Sequence, residues 1–148
     1  MKDKLITLLK TFKYPVFLQG SLLPEQAYPP TFFTFWNNSS EDGAHYDNGA
    51  IYYVWNFDVN FYSTDPALVY TKLEAARKAL KDSGFIVSGK GYSVASDEPT
   101  HTGRGFTALI IENESHDEDN PDDGEDPGNG EDPGSEEDPV IENQNEED

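Results

Sequence analysis

The stretch Ile51–Tyr62, IYYVWNFDVNFY, decides the fold. Ile51, Tyr53, Trp55, Phe57, Val59 and Phe61 alternate with Tyr52, Val54, Asn56, Asp58, Asn60 and Tyr62. Successive side chains of an extended chain point to opposite faces, so one face here is wholly apolar and the other mixed. A strand reads this way when helices cover one side of its sheet and water reaches the other. At about 3.3 Å per residue the strand extends about 40 Å, whereas a domain of this size is about 35 Å across. It must therefore bend or project. A projecting hairpin made with Thr31–Trp36 would expose aromatic side chains and ladder edges, which an oligomer can bury.

Outward from this strand, Asp65 followed by Pro66 marks a helix start, an N-cap with proline in the first turn. Val69, Leu73, Ala76 and Leu80 form its apolar stripe, and Gly84 marks its end. On the other side, Asn37–Gly49 is rich in Asn, Ser, Asp and Gly and reads as a loop. Thr31–Trp36, dense in aromatics, reads as a strand, as does Tyr14–Leu18. Leu5, Leu8, Leu9 and Phe12 place a helix over residues 2–13, which Pro15 closes. Phe85–Ala95 and Gly105–Ile111 read as a closing pair of strands. The expected class is α+β, in the order α-β-β-β-α-β-β, with a mostly antiparallel sheet and two helices on one face.

The chain of 148 residues has a formal net charge of −19, but the charge is unevenly placed. Glu112–Asp148 carries 18 of the 29 acidic residues and no Lys or Arg, which leaves 11 acids against 10 basic residues in the rest. The chain divides into a nearly neutral domain, residues 1–112, and an acidic Gly/Pro/Asp/Glu-rich tail, residues 113–148. The tail repeats Gly-Glu-Asp-Pro-Gly at Gly124–Gly128 and Gly130–Gly134 and is expected to be disordered, because it holds too few apolar residues to offset chain entropy. Scarcity of clustered Lys and Arg argues against direct nucleic-acid binding. The absence of cysteine excludes disulfides and thiolate metal sites. The apolar run within Met1–Phe12 is too short for a signal peptide or a membrane span, so no membrane partner is expected.

The chemical motifs are weak. His45 with Asp47, and His101, lack a nucleophile or orienting partner at a telling spacing and read as solvated or interface residues. Gly89-Lys90-Gly91 and Gly103-Arg104-Gly105 fit neither a P-loop nor a dinucleotide fingerprint and read as hairpin or bulge glycines. Lys90 and Arg104 are available to meet a carboxylate of a neighbouring subunit. Asp119–Gly124 resembles a calcium loop but has proline at the third ligand position and Gly130 where the bidentate glutamate belongs. Asn37 and Asn38 begin glycosylation-like triplets that read as coincidental. The aromatics around Trp36 and Trp55 suit core and interface packing better than a stacking platform for sugars or bases. No catalytic residue, cofactor or metal ligand is expected.

Four strings carry a family likeness: Thr34-Phe35-Trp36-Asn37-Asn38, His45-Tyr46-Asp47-Asn48, Trp55-Asn56-Phe57-Asp58-Val59 with Phe61-Tyr62-Ser63, and Gly84-Phe85 through Ser96-Asp97-Glu98-Pro99-Thr100-His101-Thr102-Gly103-Arg104-Gly105. Over most of residues 12–112 the chain resembles the small tail-completion or tail-terminator proteins of long-tailed bacteriophages, in the form found in Gram-positive prophages. The resemblance implies an antiparallel sheet with helices on one side and a ring, typically a hexamer. Such a ring binds the last ring of tail-tube protein, stops polymerisation and offers a surface to the head connector. It implies no catalytic residues, and a location in the virion after assembly in the bacterial cytoplasm. Under it, Trp36, His45, Tyr46, Asp47, His101 and Arg104 are the interface candidates. The acidic tail departs from the family and keeps a second reading open, a binding module that recruits a basic protein partner or mimics nucleic-acid charge. An enzyme ranks third.

Overall fold

The computed structural model describes residues 1–114. Their elements are α1 (Lys2–Lys10), β1 (Val16–Leu18), β2 (Thr31–Tyr46), β3 (Gly49–Ser63), α2 (Pro66–Asp82), β4 (Ile86–Val87), β5 (Tyr92–Val94) and β6 (Thr102–Asn113). The class is α+β, with a mixed sheet of six strands and two helices. The sheet runs β1-β2-β3-β6-β4, and β5 also pairs with β6. Only β1 with β2 is parallel.

Register explains the core. Phe33 lies opposite Phe61, Phe35 opposite Val59, Val59 opposite Phe106, and Phe57 opposite Ala108, so one sheet face is continuous and apolar. Leu5 and Leu9 of α1 and Val69, Leu73, Ala76 and Leu80 of α2 are buried in the same cluster. The rings of Phe33 and Phe61 sit 4.5 Å apart at its centre. Each such side chain contributes about 1.5–3 kcal/mol on full burial.

Helix α2 begins as its sequence dictates. The Asp65 carboxylate accepts the Ala67 N–H at 3.0 Å, and Pro66 occupies the first turn. It ends in a left-handed Gly84, φ +96°, with Phe85 N–H donating to the Leu80 carbonyl and Gly84 N–H to that of Lys81.

The structure corrects four boundaries. Asn37–Tyr46 is strand rather than loop, and the hairpin turns on Asp47-Asn48 alone, with φ of 50° and 65°. Positive φ at both central residues is the type I′ geometry that matches strand twist. Polar composition suggested a loop, but a strand wet on both faces has no need of apolar alternation. Phe85–Ala95 is not one strand: β4 and β5 are separated at Gly89 and Gly91, both at positive φ. Helix α1 stops at Lys10, three residues before the left-handed Lys13. Strand β6 starts at Thr102 and continues past the expected boundary to Asn113, and Glu114 N–H still donates to the Ile51 carbonyl. The rest of the expected disordered tail, with its repeats and calcium-like loop, lies outside the described residues.

Beyond Phe35 on β2 and Trp55 on β3 the hairpin leaves its core packing. Trp36–Tyr46 is mostly exposed, and the matching part of β3 is only partly buried. This half, the arm, pairs with β6 as far as Tyr52–Asn113, after which the tip continues alone. Its register shifts between Asn37 and Ser39, between Asp42 and Ala44, and between Ala44 and His45. A Cβ on Gly43, at the second shift, would run into the Tyr52 ring, so only glycine lets that ring lie across the arm.

Candidate interaction surface

The arm presents side chains without enclosing them. At its tip Tyr46 is 80% exposed and Ile51 is also exposed, flanking the Asp47-Asn48 turn. His45 Nε2 lies 3.6 Å from Asp42 Oδ2, with both side chains largely in water. Between tip and core, Trp36 is 48% exposed on the face opposite the helices.

Trp36 is nevertheless fixed. Its Nε1–H donates to Asp58 Oδ2 at 2.8 Å, and the Thr107 hydroxyl donates to Oδ1 at 2.8 Å. The Tyr92 hydroxyl approaches Oδ1 at 3.5 Å. Register places Trp36, Asp58 and Thr107 in one row across β2, β3 and β6. Partial burial works to raise the Asp58 carboxyl, but donors on Asn38, Trp36, Thr107 and Tyr92 together hold it below the usual carboxylate range. Asp58 thus staples two exposed rings, Trp36 and Tyr92, to the sheet.

The other arm face is acidic. Asp42, Tyr53 and Glu112 are register neighbours across three strands, and Trp55 Nε1–H donates to Glu112 Oε2 at 2.7 Å. The negative charge of Glu114 pushes the Tyr53 phenol up, with burial, Asp42 and Glu112 adding to it. No Lys or Arg occurs between Lys13 and Lys72. Glu112 and Glu114, at the end of the described residues, therefore lie beside an arm that already carries Glu41, Asp42 and Asp47.

The remaining candidates are far from the tip. His101 sits at the Ser63 end of the sheet, about 45 Å along β3 from Gly49 at strand rise. Its Nε2–H donates to the Pro29 carbonyl at 2.8 Å, its Nδ1 meets the Thr100 hydroxyl at 3.0 Å, and its ring edges onto Phe32 and Tyr28. Arg104 lies opposite Phe61, on the helical face. It donates to the Gly91 carbonyl at 3.0 Å and lies over the Tyr70 ring at 4.8 Å.

The structure thus brings together His45, Tyr46 and Asp47, places Trp36 on the same arm, and gives His101 and Arg104 internal duties elsewhere. Sequence reading missed Asp58, Tyr92, Glu112 and Glu114. For Asp58 a signal existed: a carboxylate on the mixed face of β3, within a row of aromatics. Among the described residues no group of three or more His, Asp or Glu side chains is placed to hold a metal, and no helix is long and apolar enough to cross a membrane. The sequence matches no protein-family model, and a search of curated proteins finds no relative of it.

Proposed function

We propose that the chain is a non-enzymatic virion assembly protein that caps a phage tail tube and helps join tail to head as a ring. The observation that carries this reading is the arm, a hairpin half outside the helical cover that ends in Tyr46 and Ile51. A heterologous ring closes when one part of each subunit meets a different part of the next, and a projecting arm supplies such a part. Trp36, His45, Tyr46 and Asp47 belong to that contact, to a second copy or to tail-tube protein. A ring of six is the expected stoichiometry, with the head connector on the opposite surface.

Light scattering on the full chain, alone and mixed with tail-tube protein of the same phage, tests this. A ring mass, or a mass that rises only with the tube protein, is expected. A monomer indifferent to the tube protein would sink the reading.

A second reading has its own observation. The arm carries Glu41, Asp42 and Asp47 and no Lys or Arg, Glu112 and Glu114 lie beside it at the end of β6, and the sequence after residue 114 is acidic. That arrangement suits recruitment of a basic protein partner or mimicry of nucleic-acid charge. Deleting residues 115–148 separates the two: the assembly reading keeps the mass change, whereas the charge-mimic reading loses binding.

A further inference from the structure

On the sheet face away from the helices, the residues after β1 and those after β5 meet the buried end of the hairpin. They leave a cavity of about 190 Å³ whose lining includes Phe17, Tyr28, Phe32, Thr34, Tyr62 and Asp97. Its volume exceeds the 150 Å³ or so of an engineered protein cavity that admits benzene, so it has room for one side chain or a small organic molecule. Phe32 stacks on Tyr62 with centroids 5.2 Å apart, and Phe17 and Tyr28 stand edge-on to Phe32 at 5.9 and 5.6 Å. Asp97 is the only charged residue in the lining.

Thr34 is 7% exposed, and its Oγ1 has no hydrogen-bond partner. Asn60 Oδ1, opposite it in register, is buried and unpartnered as well, but it lies over Gly105 on the β6 side and Asn60 is not part of the lining. The Tyr62 hydroxyl is near both but meets neither in bonding geometry, and its single O–H could satisfy only one. Nor is the crowding accidental. A Cβ on Gly105 would strike the Asn60 amide oxygen, and one on Gly103 would come within 2.6 Å of the Tyr62 ring. Gly105 thus makes room for the Asn60 amide, and Gly103 for the Tyr62 ring that lines the cavity.

We propose that the cavity binds the head of a donor-bearing organic cation, a guanidinium or primary ammonium on a short carbon chain. The unmatched Thr34 oxygen calls for an N–H donor. Aromatic faces attract a cation through their quadrupoles. A lone carboxylate in the lining favours positive charge and opposes anions. The head group belongs either to a free amine or guanidine or to a Lys or Arg side chain of a partner protein. The site is separate from the arm and stands whether or not the assembly reading does.

The test is NMR on the full chain at physiological salt, read at the Phe17, Tyr28, Phe32 and Tyr62 ring resonances. Methylguanidinium and n-butylammonium are titrated to millimolar levels, with n-butanol and butyrate as neutral and anionic controls. Saturable shifts at those rings with the cations alone are expected. Thr34→Val and Asp97→Asn should each weaken them by about tenfold or more. Thr34→Val keeps the shape while deleting an unpaired hydroxyl, so its fold should be at least as stable as the parent's and loss of binding there is not unfolding. Shifts absent at these rings, or equal with butanol, would overturn the proposal, as would unchanged affinity in both variants. Nα-acetyl-arginine and Nα-acetyl-lysine amides separate the sources. Binding of these amides assigns the site to a protein side chain, and binding of the free cations alone assigns it to a small molecule.

Discussion

Strands β2 and β3 pair from end to end, yet their two halves live in different surroundings. In the inner half, register runs unbroken from Thr31–Ser63 to Asn37–Phe57, and Phe33, Phe35, Val59 and Phe61 are buried. In the outer half three register shifts interrupt the ladder, and exposed polar and acidic residues replace the phenylalanines. Backbone pairing is thus common to both, whereas core packing fixes the inner half and reaches the outer half only as far as Trp55. Bulges increase local twist and blunt an edge that would otherwise template unwanted strand pairing. The same hairpin serves as core at one end and as a presented surface at the other.

The sharpest way to break this contrast is to truncate one ring in each half. Phe61→Ala should lose about 3–5 kcal/mol of stability in denaturant unfolding, through lost transfer energy and a cavity beneath Phe33. If it lost under one, the inner half would not be the packed one. A smaller effect concerns Asp58, at the border between the halves. Its carboxyl is held below the usual range, so its stabilising contribution is present above the unfolded carboxylate value, near 4, and disappears as pH falls through the lower folded value. Trp36 emission should therefore change in that acid window, and Asp58→Asn should abolish the step. The smallest stability effect belongs to the tip. Tyr46→Ala should shift unfolding by no more than about 0.5 kcal/mol, while lowering the self-associated or tube-bound mass seen by light scattering. A tip variant that unfolds the domain would show the arm to be structural.

The inner half was legible because burial writes a period into sequence. Alternation along Ile51–Tyr62 assigns Phe57, Val59 and Phe61 to one buried face, and Asp65-Pro66 with the Val69–Leu80 stripe places α2. The outer half was not, because residues wet on both faces carry no period, and Asn, Ser, Asp and Gly resemble a loop by composition. Even so, Asp47-Asn48-Gly49 held the turn signal. The parallel pairing of β1 and the two-part strand at Phe85–Ala95 depend on tertiary neighbours. So do the partners of the proposed site residues: nothing near His101 in sequence announces the Pro29 carbonyl, and Arg104 meets Tyr70 across the fold.

The two-residue turn at Asp47-Asn48 also governs how the arm can change length in evolution or by design. The turn is far from the helices, so residues can enter or leave beside it without disturbing the core. One residue added to each strand would advance the tip by about 3.4 Å and exchange the faces on which its side chains stand. Two per strand would advance it about 7 Å and restore them. Reach and orientation are therefore coupled by parity, and a longer or shorter arm keeps its contacts only in even steps.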